Sequence, residues 1–197
     1  MGLGVDAASA TAAPRGALWR AATQLASFAG LRGATAAASP PAVTYLPLHE
    51  SVDCTIGIFC LPAGGVIPLH NHPDMVVLSR LLYGDMDVRS LDAPEARGGA
   101  ATLASAGVWS ATAGGGTRVL RPGQGNVHAF RAVTACAVLD VLGPPYDARA
   151  GRPCTYFAEA PAASAQQPGW LTPVPPPRDV VIARAPYTGT PLRVPRA

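Results

Sequence analysis

The pattern of hydrophobic and polar positions changes character near residue 42. Upstream, in a stretch rich in Ala, Gly, Ser and Thr, Leu18, Trp19, Ala22, Leu25 and Phe28 recur at helical spacing. That spacing predicts one short amphipathic helix lying on the outside of the domain. From Val43 onward the apolar residues gather into short segments punctuated by Gly and Pro. Val43–Leu48, Thr55–Leu61, Val66–His72, Met75–Tyr83 and Met86–Leu91 read as strands, as do 101–106, 108–112, Thr117–Leu120, Asn126–Val133, Cys136–Leu142, Cys154–Ala158 and Val180–Arg184. Many short strands at close spacing, with turn chemistry between them, predict an all-β sandwich or barrel. Pro173 to Pro177 reads as a stiff extended linker that brings a last strand back. The expected organisation is an Ala-rich N-terminal segment, residues 1–41, and one domain over residues 42–197.

Composition narrows the partners. A chain of 197 residues can bury the core of one domain, and its 49% apolar content is inflated by alanine. All 15 basic residues are arginines, spread along the chain without a cluster, so a net charge of +3 gives no footprint for nucleic acid. No apolar run approaches the ~20 residues of a membrane helix. Cys54, Cys60, Cys136 and Cys154 form no CxxC pair, and reduced thiols point to a reducing compartment. A soluble, intracellular protein of the cytoplasm or nucleus, and a monomer, is expected. An organelle transit peptide is the competing reading of the N-terminal stretch, which carries arginines and a single acid, Asp6.

The chemistry concentrates between Gly64 and Gly84, GGVIPLHNHPDMVVLSRLLYG. His70 and His72 are i and i+2 in a predicted strand, so both imidazoles project to one face. Two neutral imidazoles aimed at one point begin a site for a borderline divalent metal; the bland alternative is a polar pair on a solvated face. Gly64, five residues, His-x-His and a later Gly84 match the spacing of the first cupin motif, a resemblance that implies a double-stranded β-helix (jelly-roll) barrel. The motif's glutamate position holds Val77, so a third ligand must come from elsewhere. Residues 121–128, RPGQGNVH, partly match the second cupin motif: Gly123, Gly125 and His128 fit, Pro122 is displaced by one, and the asparagine position is Ala132. Three histidines and no carboxylate leave about half of an octahedral shell open. A substrate thiol, deprotonated on coordination, can bring the missing anion.

The segments IPLHNHPDMVVLSRLLYGDMDV, GNVHAF, AVLDVLGPPYDARAGRPCTYF and PYTGTPLR make the resemblance specific. From about Val52 to Leu192 the chain resembles the plant cysteine oxidase and cysteamine (2-aminoethanethiol) dioxygenase family. Its members are cupin enzymes that use Fe(2+) and O2 to convert a thiol into a sulfinic acid. The resemblance implies iron ligands at His70, His72 and His128. It implies functional positions at Asp140, which would orient a ligand or hold the substrate's ammonium, and at Tyr146 in the loop that follows. It also implies a pair, Cys154 and Tyr156, whose match in the cysteamine enzyme can become covalently linked. As i and i+2 of one predicted strand, those two would share a face. A buried thiol beside a packing tyrosine is the plainer alternative. Met75 and Leu78 are expected to pack the barrel.

The substrate implied is the N-terminal cysteine of a protein, in an oxygen-sensing step that feeds the N-degron pathway, and loops resembling the plant enzymes favour it. The alternatives are cysteamine as substrate, a cupin enzyme without thiol dependence, and a non-catalytic metal-binding cupin.

Overall fold

A computed structural model describes residues 42–93, 101–102, 105–160, 170–178 and 180–192. The expected N-terminal helix lies outside the described residues. Among them are thirteen strands and no helix. The strands are β1 (Val43–Glu50), β2 (Thr55–Leu61), β3 (Val66–Asn71), β4 (Val76–Tyr83), β5 (Asp85–Asp92), β6 (Ala101–Thr102), β7 (Ser105–Thr112), β8 (Thr117–Leu120), β9 (Val127–Ala132), β10 (Cys136–Gly143), β11 (Tyr156–Ala160), β12 (Trp170–Val174) and β13 (Ile182–Arg184). They form two sheets, ordered β13-β1-β2-β10-β4-β8 and β6-β12-β11-β3-β9-β5-β7, which face each other as the double-stranded β-helix of a cupin.

Alternation decides which side of each strand is covered. In β4, Val77, Ser79 and Leu81 are buried while Val76, Leu78, Arg80 and Leu82 are exposed, so every second residue turns inward. The main core cluster joins the sheets through Leu61, Leu81, Met86, Val88, Phe130 and Val138. A second cluster, Met75, Val77, Leu120 and Leu142, lies at the other end with Tyr146 packed against it. Leu78 corrects one expectation. It is 39% exposed on the outer face and does not fill the barrel, because it sits between the two inward positions Val77 and Ser79.

Most strand ends shift from the sequence reading by one or two residues, and three differences go further. The predicted break at residue 107 is absent, and β7 pairs with β5 without interruption from Ser105 to Thr112. Trp170–Val174, expected to run into a linker, is strand β12 between β11 and β6. Its Pro173 is tolerated because, among the described residues, β6 pairs only with Trp170 and Leu171, so no N–H is needed from Pro173 on that side. Cys154 lies outside β11, which begins at Tyr156. Gly84, at φ +77 between β4 and β5, is required twice over: a Cβ there would stand 2.3 Å from the Ala135 carbonyl oxygen.

Candidate metal centre

A bulge aims the histidines. Ile67 pairs with Phe130 and His70 with His128, so β3 spends three residues where β9 spends two. The extra residue brings Ile67 and His70 to the same inner face, which strict alternation forbids. Pro68 lies within this irregularity; it has no N–H to lose from the ladder. Its carbonyl is used instead, accepting the Nδ1–H of His70 at 2.8 Å and leaving Nε2 with its lone pair. His72 follows one residue after β3, held by its own N–H on the Asn126 carbonyl at 2.9 Å.

Each element contributes one side chain to the centre. His70, His72 and His128 are all buried, and their ligand atoms lie within 4.8 Å of one another. The ring centroids stand 4.7–4.9 Å apart. The Nε2 atoms of His72 and His128 face each other at 2.9 Å. Two neighbouring ligands of an octahedral ion would be about 3.0 Å apart for metal–nitrogen bonds of ~2.1 Å, so the pair already has that spacing. Val77 is buried where other cupins place a glutamate, and no carboxylate joins this cluster among the described residues.

Burial keeps the imidazoles neutral. It pushes His70 down to about 4, although the Pro68 bond pulls the other way. Burial first, then the neighbouring histidines, hold His72 and His128 well below the ordinary range. At neutral pH the site therefore offers three lone pairs, the donor set a borderline metal such as iron(II) accepts.

Tyr146 fixes one of these donors. Its hydroxyl lies 2.7 Å from the Asn71 carbonyl and 2.8 Å from Nδ1 of His72, with the two rings stacked. A carbonyl can only accept, so the hydroxyl proton goes to Asn71 and the oxygen accepts from the His72 Nδ1–H. That choice leaves His72 Nε2 bare toward the centre. Asn71 also ties in the next segment: its N–H reaches the Thr155 carbonyl at 3.1 Å, and its Oδ1 accepts from the Thr155 N–H at 2.8 Å.

Cys154 and Tyr156 meet the site differently from expectation. Because the chain enters β11 only at Tyr156, Cys154 is placed by the preceding segment and its thiol pairs with the Tyr146 hydroxyl. Burial pushes the Cys154 thiol up and Tyr146 lowers it, while burial and then Cys154 raise Tyr146 well above the phenol range. Tyr156 stands directly opposite His70 in the sheet, ring centroids 6.3 Å apart, and is itself raised, by burial and then by Cys154.

Asp140 belongs to the other sheet. It is buried on β10, and the Ser79 hydroxyl donates to its Oδ1. Burial raises its carboxyl to about 6, with the Ser79 bond opposing. Between the sheets lies a cavity of about 260 Å³ whose wall includes His128, Ser79, Ser90 and Arg118. Gly125, at φ +62, lets the chain turn into β9 beneath it; a Cβ there would stand 2.9 Å from Ser90 Oγ.

Ser79, Asn71 and Arg118 were not singled out from the sequence. A serine at an inward position between Val77 and Leu81 is the signal that could have found the first. Pro68 inside a strand pattern could have announced the bulge.

The chain is similar to several known proteins. The PCO_ADO family model matches residues 6–192. Plant cysteine oxidase 1 of Arabidopsis thaliana is 53% identical over 135 residues, covering 66% of this chain and 45% of that protein. The 2-aminoethanethiol dioxygenase of Homo sapiens is 30% identical over 183 residues, covering 76% of this chain and 68% of that protein. The chain thus spans about half the length of the plant relative it matches. Among solved structures, an RmlC-like cupin protein from Desulfovibrio desulfuricans is similar over 59% of this chain and 96% of its own, at 22% identity and a TM-score of 0.41.

Proposed function

Since the chain belongs to the PCO_ADO family, we propose that it is an iron(II)-dependent thiol dioxygenase acting on an N-terminal cysteine. The overall change is RSH + O2 → RSO2H, with both oxygen atoms on sulfur. The observation that carries the reading is the convergence of three neutral histidines, without a carboxylate among the described residues, one of which, His128, lines a cavity between the sheets. His70, His72 and His128 would hold the ferrous ion, which when bound supplies the redox chemistry that lets dioxygen react with a thiolate.

The remaining residues bind and orient. Asp140, buried on the inner side of the opposite sheet with its carboxyl raised to about 6, would accept the substrate's α-ammonium, while the Ser79 hydroxyl donates to it and holds it in place. Tyr146 keeps His72 in the tautomer that a metal needs. Phe130, 4.4 Å from the His128 ring, lines the cavity and keeps one side of it apolar. A molecule as small as cysteamine would leave most of the 260 Å³ unfilled, since a water-sized group takes about 30 Å³. That room favours a peptide terminus, and with it an oxygen-dependent mark on the partner protein that feeds an N-degron route.

The test offers the iron-loaded protein a Cys-initiated peptide and cysteamine side by side, with mass spectrometry of the products. A gain of two oxygen atoms on the peptide is expected. Oxidation of cysteamine alone would replace the peptide reading, and oxidation of neither would remove the dioxygenase reading.

A further inference from the structure

The two outer faces of the barrel are finished differently. On the seven-stranded sheet His128 and Phe130 point inward, so Val127 and Ala129 point outward, and yet both are buried in a cluster with Leu69, Leu91, Phe157 and Leu171. The cover comes from the sheet itself. β3 and β9 stand between β11 and β5 in the strand order, but Glu159 of β11 accepts from Arg89 of β5 at 2.7 Å. That contact requires β11 to roll over the outside of β3, β9 and β5, with β12 beside it.

Among the described residues no strand closes the six-stranded sheet in this way. Its inner positions Gly57, Asp140 and Ser79 are flanked by outward ones, and register lines these up in two rows. Leu46, Ile58 and Leu139 cross β1, β2 and β10, with Arg80 of β4 at the end. Ile56, Val141, Leu78 and Val119 cross β2, β10, β4 and β8. Leu78 and Val119 are exposed, as are Val76 and Leu82 on either side, and the positions on β2 and β10 are half-buried. A contiguous apolar face of this kind marks a surface on which something packs.

The chain itself holds a segment that fits. Leu18, Trp19, Ala22, Leu25 and Phe28 form one stripe at helical spacing, a helix about 16 Å long. A helix that short holds together in water only when its apolar side is packed. Four strands about 4.8 Å apart make a strip of comparable width. The segment leads directly into β1, a strand of this same sheet. The stretch from Phe28 to Val43 can reach roughly 50 Å, against roughly 14 Å from β1 to β4. The PCO_ADO family model begins at residue 6, so the stripe lies inside the matched unit. We propose that the outer face of the six-stranded sheet is the docking surface for residues 18–28 of this chain, laid as a helix along the apolar rows of β2, β10, β4 and β8. The proposal stands apart from the reaction the barrel performs.

The experiment places the photo-cross-linking residue p-benzoylphenylalanine at position 78 of the full chain. A control carries it at position 52, where Val52 is 88% exposed between β1 and β2. An equal mixture of isotope-labelled and unlabelled protein is illuminated, and the cross-linked peptides are identified by mass spectrometry. The expected product joins position 78 to a peptide from residues 18–28 with both halves of one isotope, at least tenfold above the control. Products of mixed isotope would make the face an interface between copies and overturn the proposal. Attachment to other segments, or none, would overturn it too. A second measurement needs no cross-linker. Phe28→Ser and Leu78→Ser should each lower the thermal midpoint of the full chain by about 3–8 °C, and the double variant by clearly less than both shifts together. A midpoint that ignores Phe28→Ser, or shifts that simply add, would show the stripe and the face to be unconnected.

Discussion

Two rows of side chains face each other across the barrel, and they are built on opposite principles. On the seven-stranded sheet, Tyr156, His70, His128 and Ser90 are consecutive register partners. On the six-stranded sheet the row is Gly57, Asp140, Ser79 and Arg118. The first row contains neutral donors, kept uncharged by burial. The second contains an acid, a hydroxyl and a cation. Neutral ligands suit a cation that arrives from outside. A row with fixed charges of both signs suits a molecule that itself carries both. On the proposed reading, metal would go to one sheet and substrate to the other.

The comparison can be broken most completely on the histidine side. His70→Ala or His128→Ala should abolish iron retention and turnover, read as metal content after gel filtration and as oxygen uptake. A variant that keeps stoichiometric iron removes that residue from the ligand set.

The opposite row is sharpened by Asp140→Asn. Loss of the carboxylate should lower kcat/KM for a Cys-initiated peptide about 10- to 100-fold, the usual cost of deleting a hydrogen bond to a buried charge. Stability should move the other way. The carboxyl is raised from 3.8 to about 6 in the folded, metal-free protein, so the native state holds the proton more tightly than the unfolded chain. This contribution is fully present below about pH 4 and is lost as pH rises through about 6. At pH 7 the metal-free Asn variant, which can still accept the Ser79 hydroxyl, should gain up to about 3 kcal/mol over the native protein, and at pH 4 almost nothing. Urea unfolding at the two pH values checks the sign; equal gains at both would contradict the burial argument.

Tyr146→Phe tests the support behind the first row. Without the hydroxyl, His72 loses the partner that fixes its tautomer, and iron affinity should fall about tenfold or more by competition with a chelator. The smallest effect on the metal centre belongs to Gly125→Ala, which combines an unfavourable φ with a contact to Ser90 Oγ. A loss of about 1–3 kcal/mol is expected in thermal unfolding, with the iron site still formed.

Much of this was legible along the chain because strands and ligand spacing are local signals. Thr55–Leu61 and Thr117–Leu120 have the predicted bounds, and the His-x-His pair with His128 does converge. What remained hidden depends on pairing between distant segments. Nothing near Arg118 says that it will stand opposite Ser79, and nothing near Cys154 says that its thiol will meet Tyr146 before it meets a strand. Trp170–Val174 was concealed by its own Pro173, acceptable because, among the described residues, the two-residue β6 pairs only with Trp170 and Leu171. Alternation reveals a residue's face; the register that names its neighbour is a property of the whole fold.

The last described strand is only Ile182–Arg184, yet it runs parallel to the first, with Val43 opposite Ile182. It takes up hydrogen-bonding groups that β1 would otherwise present to solvent, and it ends in an arginine ion-paired with Glu50. A bare β1 would be a longer, flatter template for another molecule's backbone; three residues and a charge blunt it. Trimming the chain ahead of residue 180 would leave the three clustered histidines untouched and give the barrel a bare edge onto which a neighbour's strand could add.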